Sequence, residues 1–303
     1  MKTVGFDTSN YTTSIAYFDG KSGVNCSRLL PVKPGELGLR QSDAVFSHTK
    51  SLPELSGRLF SDLDEITAIG VSTRPRAVEG SYMPCFMVGY SHARMLSDAL
   101  HVPLFEVSHQ QGHVAACLWS AKRLDLMDKP HLAWHLSGGT TELLLVEPDR
   151  ANVKCTRIGG TTDISAGQLI DRTGVMLDLP FPAGKHLDVL AADATGTELF
   201  KVKCPGLEFS LSGVQNKVEQ YAKTHSPANT AAYALRCICY AVKTATDHAR
   251  EAYPGLEVVF SGGVTANSML RSTMIDAVFC DPQFSTDNAM GVAVLTARLL
   301  EAN

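Results

Sequence analysis

Two kinds of apolar pattern alternate along the chain. Short apolar runs bounded by turn residues read as strands, and apolar residues three and four apart read as helices. Two stretches share one layout. Residues 3–19, TVGFDTSNYTTSIAYFD, hold an apolar run, a turn rich in Asp, Ser and Thr, and a second apolar run. Residues 131–146, HLAWHLSGGTTELLLV, repeat this around Ser137-Gly138-Gly139-Thr140-Thr141, with Asp7-Thr8-Ser9 in the matching place of the first copy. Two such strand–turn–strand units, each opening a half of the chain, predict duplicated domains facing each other across a cleft. That is the layout of an α/β protein with two similar halves.

The stretches between them fit the same class. Residues 20–38 are polar, include Pro31 and Pro34, and read as strand edge or loop. Residues 39–64 have helical spacing, with Leu52, Leu55 and Leu59 on one face. A short strand over 66–73, a helix over 84–100 and a strand over 102–107 follow. In the second half the pattern predicts helices over 162–177 and 230–253, a buried strand over 256–260 and a closing helix over 289–301. Helices and strands in alternation mark an α/β fold. Residues 122–130 are polar and end in Pro130, so the boundary is placed there. The first domain then covers 1–125, closed by the C-terminal helix 288–303, and the second covers 126–287.

Composition narrows the class. The chain has 303 residues, 45% hydrophobic and 19% charged, enough for two cores. A net charge of −4 provides no global basic field, so contact with nucleic acid needs a local patch or a partner. No apolar run is long enough to cross a bilayer, and the start lacks a secretory apolar region. The expectation is a cytoplasmic protein without membrane contact. Its eight cysteines are scattered and read as thiols rather than a disulfide framework.

Three places carry candidate chemistry. The Ser137–Thr141 turn offers two adjacent glycines, hydroxyls and consecutive backbone N–H groups, which together suit a phosphate. An ordinary hairpin turn has the same composition. Ser261-Gly262-Gly263 ends a strand before a helix, a usual place for a nucleotide to approach the backbone. His109 and His113 stand four apart, so on a helix both rings can meet one metal ion. Alternatively they are polar residues capping a helix start. A zinc-protease reading fails, because Gln110 stands where a general-base Glu would follow the first His.

With these motifs in order, the chain resembles the TsaD family, the tRNA N6-adenosine threonylcarbamoyltransferases, within the actin, sugar-kinase and Hsp70 superfamily. The matching pieces are GFDTS, the His109–His113 pair, HLSGGTTELLLV, SAGQLIDRTGVMLDLPFPAG, FSLSG, FSGGVTANSMLR and STDNAM. The resemblance implies two actin-like (ASKHA, ribonuclease-H-like) domains with the active site between them. It implies His109, His113 and Asp287 as ligands of one metal ion, with iron or zinc acceptable to that donor set. Leu136, Ser137, Gly138, Gly139 and Thr140 match the loop for the phosphate or the carbamoyl-adenylate. Asp171, Gly184 and Asp188 match residues at the ribose, and Asn267 one beside the adenine. Asp7 and Ser9 of the first turn are the candidate catalytic residues. The resemblance implies that the nucleotide is ATP, ADP or threonylcarbamoyl-adenylate, and that the partners are tRNA and other proteins of the threonylcarbamoylation system. The implied reaction moves a threonylcarbamoyl group from its adenylate to N6 of an adenosine in tRNA.

The chain departs from the family pattern near this chemistry. Asn10-Tyr11-Thr12 replace Cys-Asp-Glu, and Arg74-Pro75-Arg76 replace Gly-Pro-Gly. Thr140, Glu142 and Gln168 stand for His, Gln and Glu. Neither Tyr11 nor Thr12 is an effective base near neutral pH. A nucleotide- and metal-binding paralogue with a regulatory or scaffold role is therefore the alternative. A sugar-kinase-like reading is disfavoured by the His pair.

Overall fold

The computed structural model describes residues 1–9, 11–31, 39–61 and 65–303. The first apolar pair forms β1 (Thr3–Asp7) and β2 (Thr12–Phe18), and the polar stretch behind them supplies an edge strand, β3 (Gly23–Leu29). Asn10, the part of the expected loop around Pro34, and the expected end of the next helix at Asp64 lie outside the described residues. α1 (Gln41–Phe60) buries Leu52, Leu55 and Leu59, as their spacing predicts. β4 (Ala68–Arg74), α2 (Phe86–Leu100), β5 (Leu104–Ser108) and α3 (His109–Ser120) follow.

The second half starts with β6 (His131–Leu136), β7 (Thr141–Asp149) and β8 (Asn152–Thr161), then α4 (Ala166–Met176) and α5 (Gly184–Ala191). It continues through β9 (Glu208–Phe209), α6 (Ser212–Ala222), α7 (Pro227–Ala252), β10 (Val258–Ser261), α8 (Ser268–Thr273) and β11 (Val278–Phe279) to α9 (Met290–Glu301). Two helix starts differ from the periodicity by three residues or more, and capping explains both. α4 begins four residues later than expected, where the Ser165 side chain accepts from the Gln168 N–H and Gln168 Oε1 accepts from the Ser165 N–H. α7 begins earlier, at Pro227 behind the Ser226 cap.

Two units result. One is Met1–Pro130, Glu147–Cys155 and Thr286–Asn303, and the other is His131–Val146 and Thr156–Ser285. In the first, the sheet order is β3-β2-β1-β4-β5. β1 is antiparallel to β2 and parallel to β4, and β4 is parallel to β5. The period of two along β1 separates its faces. Val4 and Phe6 join a core with Leu52 and Leu55 of α1 and Val88 of α2. On the other face the Thr3 hydroxyl donates to the Ala293 carbonyl of α9 at 2.8 Å, and Asp7 reaches α3.

In the second unit the order is β11-β10-β6-β7-β8-β9. β6 is antiparallel to β7 and parallel to β10, which is parallel to β11. Apart from β9, this repeats the first sheet strand for strand. The two strand–turn–strand stretches thus open two copies of one α/β topology. Trp134, Phe209 and Phe260 lie in the second core, where the Trp134 Nε1–H donates to Thr246 of α7 at 2.9 Å. All eight cysteines are free thiols. Among the described residues no helix is long and apolar enough to cross a membrane.

Candidate metal centre and glycine loop

The first unit gathers three potential ligands. α3 starts abruptly because Ser108 caps it: Ser108 Oγ accepts from the Gln111 N–H, and Gln111 Oε1 accepts from the Ser108 N–H at 2.9 Å. Ser108 and Gln111, not the histidines, satisfy the helix start. His109 and His113 are left on one face, rings 4.3 Å apart and nearly perpendicular. Asp287 precedes α9 in the chain, yet it arrives at the same place. The reason lies one residue from His113. A Cβ on Gly291 would stand 1.8 Å from the Gly112 carbonyl oxygen, so α3 and α9 touch backbone to backbone only because position 291 is glycine.

The resulting distances are short. His113 Nε2 lies 2.9 Å from His109 Nε2 and 3.2 Å from Asp287 Oδ1, and His109 Nε2 lies 3.5 Å from the same oxygen. Two imidazole nitrogens and a carboxylate oxygen about 2.0–2.2 Å from one ion stand roughly 3.0–3.5 Å apart. The donor set therefore fits a divalent metal, with two histidines and a carboxylate leaving other positions open.

Asp7 completes the arrangement from β1. It is 1% exposed. Its Oδ2 lies 2.7 Å from His109 Nδ1, and its Oδ1 accepts from the Ser9 N–H at 2.9 Å. A proton held on Nδ1 by Asp7 leaves Nε2 as the ligating atom, the usual outer support of a metal-bound imidazole. The two carboxylates also act on the charge of the ring. Burial opposes charge on His109, but Asp7 and Asp287 outweigh it and push its pKa up to about 10. Burial likewise opposes charge on Asp287, while both histidines hold it well below the usual carboxylate range. Asp7 is lowered too: burial works against its charge and His109 overrides this.

The second unit presents the glycine loop. The Ser137 N–H donates to the Thr140 carbonyl at 2.8 Å, and the Thr140 N–H donates to Ser137 Oγ at 3.1 Å. From behind, Ser165 Oγ donates to the Gly138 carbonyl at 2.6 Å and the Ala166 N–H donates to Thr141 Oγ1 at 2.8 Å. Gly138 and Gly139 are exposed, and a Cβ on either would meet nothing within 4 Å. Neither has a positive φ. The backbone does not demand glycine here, contrary to what the pair of glycines alone implies, so the fold leaves room at the loop for something outside the chain. Gly262 is different: its φ is 94°, and a Cβ would stand 2.2 Å from the Leu136 carbonyl oxygen.

The other expected nucleotide residues fall into two groups. The Ala183 N–H, just before Gly184, donates to Asp171 at 2.9 Å, and burial raises the Asp171 pKa. Asp188 accepts from Asn267 Nδ2 at 2.7 Å and from both the N–H and the hydroxyl of Ser268. Among the departures, Gln168 closes the α4 cap as a Glu would. Thr12 is the buried first residue of β2, in register with Leu29, so it sits in the sheet rather than free in the turn. Sequence reasoning missed the Asp7–His109 bond and the Gly112–Gly291 approach. Both join residues far apart in the chain, and no local pattern signals them.

Known proteins match this picture. A family model described as TsaD, tRNA N6-adenosine threonylcarbamoyltransferase, matches residues 41–294. A protein of that name from Enterococcus faecalis is 30% identical over 225 residues, covering 71% of this chain and 61% of its own length. The chain thus spans less than two thirds of that relative. Among solved structures, full-length HypF in its phosphate- and nucleotide-bound form has a TM-score of 0.64 at 14% identity, over 99% of this chain and 46% of HypF. A ROK-family glucokinase from Streptomyces griseus, in complex with glucose and AMPPNP, has a TM-score of 0.55 at 9% identity, over 98% of this chain and all of its own (100%). These likenesses are of fold, the ASKHA type. By the family match along most of its length, this chain belongs to the TsaD family of tRNA N6-adenosine threonylcarbamoyltransferases.

Proposed function

We propose that this chain is a metal-dependent transferase that moves a threonylcarbamoyl group from threonylcarbamoyl-adenylate to N6 of an adenosine in tRNA. One observation carries the reading: in a chain of this family, His109, His113 and Asp287 bring three ligand atoms to separations of 2.9, 3.2 and 3.5 Å. Iron or zinc suits these donors. A bound ion would polarise the carbamoyl and phosphate oxygens and offset the negative charge that develops on them. The chain's own residues do the rest. Asp7 fixes the His109 tautomer. The Leu136–Thr140 loop gives backbone N–H groups and hydroxyls to the phosphate. Asp171, Gly184 and Asp188 serve the ribose, and Asn267 the adenine. In the transfer, the N6 nitrogen bonds to the carbamoyl carbon, the bond from that carbon to the phosphate oxygen breaks, AMP leaves and one N6 proton is released. The partners are tRNA and other proteins of the threonylcarbamoylation system, in the cytoplasm.

A specific observation favours a second reading, a nucleotide- and metal-binding regulator with little transfer activity. Both Asp7 oxygens are engaged, by Ser9 and His109, and Ser9 is 4% exposed. Neither residue is then a free base for the acceptor, and general-base help is worth roughly 10²–10⁴-fold. The deciding experiment incubates the metal-loaded chain with threonylcarbamoyl-adenylate and tRNA, then analyses the nucleosides by mass spectrometry. Modified adenosine that disappears with chelator and in His109→Ala establishes the transferase. Retained metal and nucleotide binding without modified adenosine establishes the regulator. A chain that binds no divalent metal overturns both.

A further inference from the structure

Three consecutive residues at the end of β4 carry polar groups that nothing among the described residues satisfies. Ser72 Oγ and Thr73 Oγ1 are buried without a hydrogen-bond partner. Arg74 is half-buried, and its guanidinium has no ion pair or hydrogen bond among the described residues. Ser9 Oγ, in the turn after β1, is likewise buried and unpartnered. β1 and β4 run parallel with Phe6 beside Val71, so Ser9 and Ser72–Arg74 leave the same end of the sheet. On its other side β4 pairs with β5, and Arg74 is in register with Ser108, the residue before His109. The Pro75 carbonyl accepts from the Gln110 N–H at 3.0 Å. Arg74 is thereby tied through the backbone on both sides to the first turn of α3, which carries the histidines.

Buried polar groups in native proteins are nearly always hydrogen-bonded. A guanidinium is always charged, has five donors, and is costly to desolvate without an acceptor. The nearby carboxylates do not supply one. Asp7 is committed to Ser9 and His109, and Asp287 to the histidines. A half-buried guanidinium with no partner side chain is available to an anion from outside the chain, and the planar fork of arginine matches a carboxylate with two parallel hydrogen bonds. On the transferase reading, on which this inference rests, the donor carries such a group: the free carboxylate of its threonine. Its phosphate already has a candidate loop in the second unit.

We propose that Arg74 anchors an anion subsite beside the His109–His113–Asp287 centre, and that this subsite takes the carboxylate of the amino-acid part of the acyl donor. The test uses the metal-loaded full chain and three probes: N-carbamoyl-L-threonine, its neutral carboxamide, and AMP. Affinities come from calorimetry or ligand-observed NMR. The acid is expected to bind at least about tenfold more tightly than the amide. Arg74→Gln reduces the acid to the level of the amide and leaves AMP unchanged, and Arg74→Lys falls between. Equal affinities for acid and amide on the unaltered chain overturn the proposal, whether or not the variants fold. So does an acid that fails to bind, or an Arg74→Gln variant that loses AMP instead, which would make phosphate the anion. Assayed alongside, a preparation that modifies tRNA yet binds acid and amide equally overturns the subsite and keeps the transferase reading. One that prefers the acid but modifies no tRNA does the reverse.

Discussion

The two turns that open the two sheets have the same topology and opposite surroundings. Asp7-Thr8-Ser9 is filled from within: Asp7 holds His109, and the Thr8 hydroxyl donates to the Cys85 carbonyl while accepting from the Gly89 N–H. The loop from Ser137 to Thr140 is pinned only from behind, and its two glycines have open space in front. A repeated sheet topology therefore does not repeat its chemistry. In one copy the strand end is occupied by the protein's own polar side chains, and Asp7 holds His109 beside His113 and Asp287. In the other it stays open to a molecule from outside. Glycine marks the contrast. Gly291 is required by the protein itself, whereas Gly138 and Gly139 are not.

Substitutions can break this contrast in order of expected effect. Removing a ligand with Asp287→Ala or His113→Ala should lower metal affinity by more than about 100-fold, as read by metal content after gel filtration; unchanged stoichiometry would remove the metal centre. Asp7→Asn keeps all three ligands but weakens the hold on His109, so affinity should fall by about 10–100-fold in a competitive chelator titration. In the open turn, Gly138→Val should weaken AMP or ATP at least about tenfold by calorimetry while changing stability by less than about 0.5 kcal/mol. Gly291→Ala should do the opposite, costing about 2–3 kcal/mol in urea unfolding, because the new Cβ meets a backbone oxygen. Equal behaviour of these two glycine variants would dissolve the comparison.

A pH-dependent effect concerns His48 beneath the first turn. Its ring is fully buried, its Nδ1 lies 2.8 Å from the Thr13 hydroxyl, and burial pulls its pKa down to about 4. The unfolded chain therefore binds the proton first as pH falls. The contribution of His48 is complete above about pH 6.5 and is lost progressively between there and about pH 4, by up to about 1.4 kcal/mol per pH unit. His48→Gln should flatten the fall of Tm across that window, and an unchanged slope would assign the acid sensitivity to other groups.

Residues that act on near neighbours were legible in the sequence. Short apolar runs bounded by turn residues announced β1, β2, β6 and β7. The spacing of Leu52, Leu55 and Leu59 announced the buried face of α1, and the four-residue step put His109 and His113 on one side of a helix. β8 escaped because buried, half-buried and exposed residues mix along it without clean alternation. β9 and β11 are two residues each, too short for any period. Asp287 entered the ligand set through the family resemblance and not through any pattern of its own.

By itself, then, the sequence determined the repeated α/β plan, the two turns and the paired histidines, because each depends on periodicity within a few residues. Only the tertiary structure decided what those turns do. Asp7 and His109 are 102 positions apart, and His113 and Asp287 are 174 apart. They meet because β4 runs parallel between β1 and β5, the strand that leads into α3, and because Gly291 lets α3 and α9 touch. Such contacts follow from backbone approach and burial across the whole chain, which no local pattern of apolar and polar residues encodes.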